Sequence, residues 1–251
     1  MNTGYIPRLA DVLLLTLRFG PVLTWAPPFS YVRAPMRVRL CLVLAMATMF
    51  TWMHADKPPV PSDVFISAAT SELVLGLMLA FGLQAAFGAL MFAGRVLDVQ
   101  AGFGLAMVID PSTRGQAPLF GTVLTLVAGF IFFAMNGHLE LVRLLNAMLA
   151  RFPIGQTALL GSSSAFTSFL TMTTGLALGA VAAASVTLFL IDAAIAYLTR
   201  ALPQMNALML GLQVKTLATL AVTALAASVV APVSLRLMRL ALDFVPDWLG
   251  R

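Results

Sequence analysis

Residues 67–94 read SAATSELVLGLMLAFGLQAAFGALMFAG, a run of twenty-eight residues with one charged side chain, Glu72. About 20 apolar residues suffice to cross a bilayer as a helix, so this stretch is read as a long membrane-type helix carrying a single costly carboxylate. Working outward, comparable segments fall at about 9–29, 38–55, 117–136, 172–198 and 216–235. Shorter amphipathic stretches lie near 95–109, 139–150 and 204–214, and residues 56–61 (Asp-Lys-Pro-Pro-Val-Pro) form a stiff polar turn. The pattern predicts an all-α integral membrane protein with about six long, kinked apolar segments.

Composition agrees. The chain has 251 residues, 60% apolar and 10% charged, with a mean hydropathy of +0.96. Soluble domains carry about 25% charged residues, which excludes that class. No linker or low-complexity tract divides the chain, so one membrane unit over 1–251 is expected. The net charge of +5 comes from scattered basic residues, which speaks against nucleic-acid binding. Arg33, Arg37 and Arg39 form the clearest basic loop and place the 30–39 connection in the cytoplasm, with the N-terminus outside. Cys41 is the single cysteine, which leaves no internal disulfide and no thiolate metal cage; it is expected to be a small buried apolar residue. Asp11 interrupts the first apolar run, so no cleavable signal peptide is read.

The segments are not plain lipid-facing helices. The first carries Arg18 with Pro21, Pro27 and Pro28. An arginine near a helix centre costs roughly 2.5–3.5 kcal/mol for insertion. Glu72 and Asp192 lie near segment ends, where snorkelling is available to them. Such charges are tolerated when protein or a wet cavity surrounds them. Either other subunits cover this surface, or the chain is a bundle with interior charges. Gly175 and Gly179, continued by Ala183, and Gly76 with Ala80 form small-x-x-x-small steps that let helix backbones approach.

Three polar interruptions stand out: Asp110-Pro111, Asn136-Gly137-His138 and Pro203-Gln204-Met205-Asn206. Catalytic patterns are weak by comparison. His138 and Glu140 give His-x-Glu rather than the spacing that sets two imidazoles on one helix face for zinc. His54, beside Trp52, is read as an interfacial residue. Gly102-Phe103-Gly104 lacks the third glycine of a dinucleotide loop. Asp98, three residues after Arg95, is placed to pair with it on one helix face. No enzyme, metal or cofactor is read from the sequence.

The order Phe92-Ala93-Gly94-Arg95, Gly102-Phe103-Gly104, Asp110-Pro111, Asn136-Gly137-His138, Pro153-Ile154-Gly155 resembles the FliR family of type III export-gate proteins, which includes injectisome counterparts. Arg18 with its following prolines, Pro35 with Arg37, Glu72 with Gly76, and Arg200, Pro203-Gln204-Met205-Asn206 and Lys215 extend the likeness over nearly the whole chain. The Asn-Gly-His triplet looks more like the flagellar branch. One departure is Gln213, where many relatives carry a proline two residues before the lysine; it puts the bend of the last hairpin in question.

The resemblance implies a helical, pore-forming assembly with FliP-like and FliQ-like subunits in the bacterial inner membrane, at the flagellar basal body. Residues of about 1–170 resemble a FliP-like subunit and about 171–251 a FliQ-like hairpin. It also implies FlhB-like and FlhA-like partners and unfolded export substrates. The stretch from Gly102 to Gln116 corresponds to a pore plug, with Phe103, Met107 and Ile109 as apolar seal. Gly102 and Gly104 would give it freedom and Asp110-Pro111 its bend. Arg18, Glu72, Arg95, Asp98, Asn136, Gly137, His138, Pro203, Gln204, Asn206 and Lys215 are expected as subunit contacts or structural polar groups. A small-molecule secondary transporter is the rival; it usually shows broken helices at matching positions of two halves, and the breaks near 20–28 and 102–116 do not match.

Overall fold

A computed structural model describes residues 5–32, 34–55, 58–102, 118–155, 162–201 and 207–249. Among these, the regular structure is helical. The long elements are α1 (Tyr5–Thr24), α2 (Met36–Met53), α3 (Phe65–Gln100), α4 (Leu119–Ala134), α5 (Gly137–Arg151), α6 (Ser163–Ala201) and α7 (Ala207–Trp248), with 3-10 turns at Phe29–Tyr31 and Ser62–Val64.

Proline and glycine punctuate them. α1 tolerates Pro21 in its last turn and stops at Thr24, before Pro27-Pro28. α2 starts after Pro35, and α4 starts directly after Pro118. A residue preceding proline is pushed out of the helical region, so these boundaries are written in the sequence. α3 gives way at Gly102, which takes a φ of 87°. Between α4 and α5 the chain turns at Asn136, a non-glycine residue at φ 57°; asparagine tolerates that left-handed conformation better than most.

Among the described residues three helices are long and apolar enough to cross a membrane: α2, α3 and Ser163–Arg200 of α6. Two bent pairs, α4 with α5 and the two parts of α7, bring the number to five at most. The segment expected at 9–29 forms α1, which does not qualify because Arg8, Asp11 and Arg18 load it with charge. The stretches read as separate at 204–214, of which 207–214 are described, and at 216–235 join in one helix α7 from Ala207 on. Gln213 has the backbone N–H that a proline lacks, so it sits inside that helix rather than breaking it. α7 bends instead just ahead of Ser228, whose carbonyl cannot receive a hydrogen bond from Pro232.

The chain forms two compact units: Met1–Ala85 with Phe132–Leu170 and Met238–Arg251, and Ala86–Ile131 with Thr171–Leu237. In the first, Leu14, Leu15, Phe19, Leu75, Leu79 and Leu145 are fully or almost fully buried. Phe19 meets Phe50 edge-on at 5.3 Å, and Phe244 stacks on Phe169 at 4.3 Å. In the second, Phe87, Leu90, Ala128, Ala177 and Leu188 fill the interior. Half of the α3 span is buried, but only 22% of the α2 and α6 spans.

Cys41 is on the open side of α2 and is exposed, against the expectation of burial, because α2 turns most of its apolar surface outward. The two glycine steps also part company. A Cβ on Gly76 would sit 2.5 Å from the Arg18 carbonyl oxygen, whereas nothing lies within 4 Å of one on Gly175 or Gly179. The first step is spent on packing inside the chain; the second faces open space.

Candidate functional site

Two of the charges that sequence reasoning placed on separate segments, Arg18 and Glu72, meet at one point of the first unit. Arg18 of α1 and Glu72 of α3 are both completely buried and form a two-pronged ion pair. Arg18 Nε and Nη2 donate to the two carboxylate oxygens, the latter at 2.9 Å. Arg18 Nη1 and Nη2 also donate to the Phe152 carbonyl at 3.2 Å. The Gly155 N–H donates to Glu72 Oε1 at 3.1 Å, from a φ of 76° that favours glycine. Glu72 therefore does not snorkel. It lies one turn before Gly76, whose missing side chain lets α1 come close enough to deliver the guanidinium. A fork of this kind matches a carboxylate in a way an ammonium does not. The Pro153-Ile154-Gly155 stretch is thus the third wall of a buried polar knot.

A second joint lies in the second unit at the end of α3. Asp98, 5% exposed, accepts hydrogen bonds from the N–H groups of Phe120 at 3.1 Å and Gly121 at 3.4 Å. These belong to the first turn of α4, whose N–H groups have no partner within the helix. A carboxylate there also favours the positive helix end. Asp98 is thus a cap lent by one helix to another. The expected pairing with Arg95 does not form: Asp98 turns inward to α4, and Arg95 is exposed. The approach needs glycine on both sides, since a Cβ on Gly94 would fall 2.3 Å from the Gly121 Cα.

The remaining expected residues separate. Gly137 is pressed against Phe132, with space for no Cβ, and His138 tilts over Phe133 at 5.8 Å. Glu140 pairs with Arg143 on the exposed side of α5. Lys215 of α7 pairs with Asp192 of α6, half-buried, in the second unit. Of the plug residues only Gly102 is described; Phe103, Gly104, Met107, Ile109, Asp110 and Pro111, like Pro203, Gln204 and Asn206, lie outside the described residues. Among the described residues no three His, Cys, Asp or Glu side chains are grouped to hold a metal.

Two features escaped the sequence. Arg39, read as a topology signal, donates to the carbonyls of Thr24 at 2.8 Å and Val32 at 2.5 Å, closing the C-terminal end of α1. A basic residue near orphan carbonyls was the available hint. The other is a cavity of about 280 Å³ lined by Arg8, Asp11 and His54 among apolar groups. Burial pushes the Asp11 carboxyl above its ordinary range, against the lowering effects of the Val60 N–H and Arg8. No spacing rule would have joined Asp11 to Val60, 49 positions away.

The profile of bacterial export proteins, family 1, matches residues 9–241. The flagellar biosynthetic protein FliR of Escherichia coli (strain K12) is 30% identical over 151 residues, 60% of this chain and 57% of that protein. FliR of Bacillus subtilis (strain 168) is 26% identical over 209 residues, covering 81% and 80%. The Yop proteins translocation protein T of Yersinia pestis is 26% identical over 216 residues, covering 84% and 82%. The match to the first of these spans little more than half of that relative, the others about four fifths. Matched along most of its length by one profile, and by flagellar and Yop-type relatives alike, the chain belongs to the bacterial export proteins, family 1, the FliR family.

Proposed function

We propose that this chain is a core subunit of the flagellar type III export gate. With FliP-like and FliQ-like subunits it forms the channel that passes unfolded flagellar proteins across the inner membrane at the basal body. FlhB-like and FlhA-like proteins are its further partners. The observation that carries the reading is the Asp98 joint. It ties the end of α3 to the start of α4, so both ends of segment 103–117 are anchored within one unit. Fixed supports on either side suit the plug role proposed for residues 102–116. The open Gly175–Gly179 face supports coverage by another helical subunit, with residues from about 171 onward acting as the FliQ-like hairpin and those before as the FliP-like part.

Deletion of the gene in frame, with a complemented control, tests the role. Hook and filament proteins should vanish from the medium while still being made; normal flagellar export would refute the flagellar reading. The match to a Yop translocation protein favours one second reading, an injectisome gate, and loss of injectisome effectors alone would select it. Replacing Gly102 with a bulky residue, or deleting 105–113, should make cells leak small ions. Ion-tight mutants that secrete normally would remove the plug.

A further inference from the structure

The cavity beside Asp11 lies at the C-terminal end of α2, a helix long and apolar enough to cross a membrane. Met49, Trp52 and Met53 are each more than half exposed there, and tryptophan is enriched where spans meet lipid headgroups. Arg8 and Asp11 sit one turn apart on α1, yet they do not close on one another. Arg8 Nη2 donates to the Ala55 carbonyl, and Asp11 Oδ1 accepts from the Val60 N–H at 3.1 Å. Asp11 is 5% exposed, and its second oxygen makes no hydrogen bond to a described residue. His54 Nδ1 lies 3.1 Å from the Phe50 carbonyl. A carbonyl only accepts, so Nδ1 carries the hydrogen, and in the neutral ring Nε2 is the acceptor.

Among the described residues the walls thus hold the Arg8 cation and, facing the same space, a desolvated carboxylate and an imidazole acceptor. Phe50, Leu149 and Ile154 line the rest. About 280 Å³ is at the lower end of small-molecule sites, which run to roughly 300–1,000 Å³, so it suits a headgroup and not a whole lipid. We infer that this cavity binds the phosphoethanolamine headgroup of a membrane lipid, phosphate on Arg8 and ammonium on Asp11 and His54 Nε2. A choline group has no N–H to offer those acceptors. A glycerol headgroup brings no cation to the Asp11 side of the cavity, where its hydroxyls replace an ammonium.

Native mass spectrometry of the full chain, purified with its co-isolating partners, tests this. The protein is stripped of lipid and offered equal amounts of phosphatidylethanolamine, phosphatidylglycerol and phosphatidylcholine. One phosphatidylethanolamine should be retained per chain with roughly ten-fold preference, equivalent to about 1.4 kcal/mol. Asp11→Asn keeps an oxygen for the Val60 N–H and should erase the preference without lowering the melting temperature. His54→Leu, at a half-buried position, should reduce it several-fold, which keeps the test open if Asp11→Asn does not fold. Equal retention of the three lipids, or an undiminished preference in both variants, overturns the site. Binding of soluble phosphoethanolamine with no lipid retained overturns the lipid as its source.

Discussion

The Arg18–Glu72 and Lys215–Asp192 ion pairs each join two helices, and they are opposite in kind. Arg18–Glu72 in the first unit has no solvent exposure on either side chain, while Lys215 and Asp192 in the second keep 25% and 41% of theirs. The first pair is cross-braced by the Phe152 carbonyl and the Gly155 N–H; among the described residues no hydrogen bond brings a third segment to the second. A buried pair is held in place by the cost of leaving either charge alone, so it fixes which segments must meet. A half-exposed pair gains little in an isolated chain. The same chemistry therefore locks the α1–α3–Phe152 contact in one unit and only decorates the α6–α7 contact in the other.

The sharpest way to break this contrast is Glu72→Ala, which strands Arg18 in the interior. It should cost about 3–5 kcal/mol, seen as a large fall in melting temperature in detergent or as loss of the chain from cells. Arg18→Lys should recover little, because an ammonium cannot replace the two-pronged fork. Next comes Gly76→Val, which touches neither charge but pushes α1 off α3 at the Arg18 carbonyl. Overpacking of this kind costs about 1–3 kcal/mol. A melting temperature equal to that of the unaltered chain would show that the close approach is not what assembles the knot.

Asp98→Ala falls in the middle. It removes a cap from α4, a loss of about 0.5–2 kcal/mol, and should raise amide exchange at Phe120 and Gly121 before it affects the rest of the chain. Lys215→Met should change stability by less than about 1 kcal/mol. A larger loss would place that pair in the same class as Arg18–Glu72. The smallest effect is expected of Asp11→Asn in lipid-free detergent. The folded Asp11 carboxyl titrates above its ordinary value of 3.8, so its contribution is complete below pH 3.8 and lost as pH rises through the raised value. Relative to the asparagine variant, the unaltered chain should therefore weaken with rising pH over that window. A parallel pair of stability curves would dismiss the burial cost.

Much of this was legible in advance at particular residues. The apolar runs placed α2, α3 and α6, and Pro27, Pro35, Pro118 and Pro153 mark element ends because proline constrains the residue before it. Arg18, Glu72 and Pro153-Ile154-Gly155 were each noticed, but as separate anomalies. Their meeting was not readable, since residues 54 and 134 positions from Arg18 are brought to it by packing. Asp98 was misassigned for the same reason: local spacing offers Arg95, and the fold offers two N–H groups 22 and 23 positions on. Cys41 failed differently. Residue type predicts burial only when the helix that carries it has a partner on that side.

The sequence by itself determined that the chain is helical, membrane-type and a member of the export-protein family, because hydropathy, proline placement and motif order are properties of the chain. Tertiary structure alone decided which charge answers which. A buried carboxylate takes whatever donor the fold brings within reach, and that donor is set by how glycines such as Gly76 and Gly94 let backbones approach.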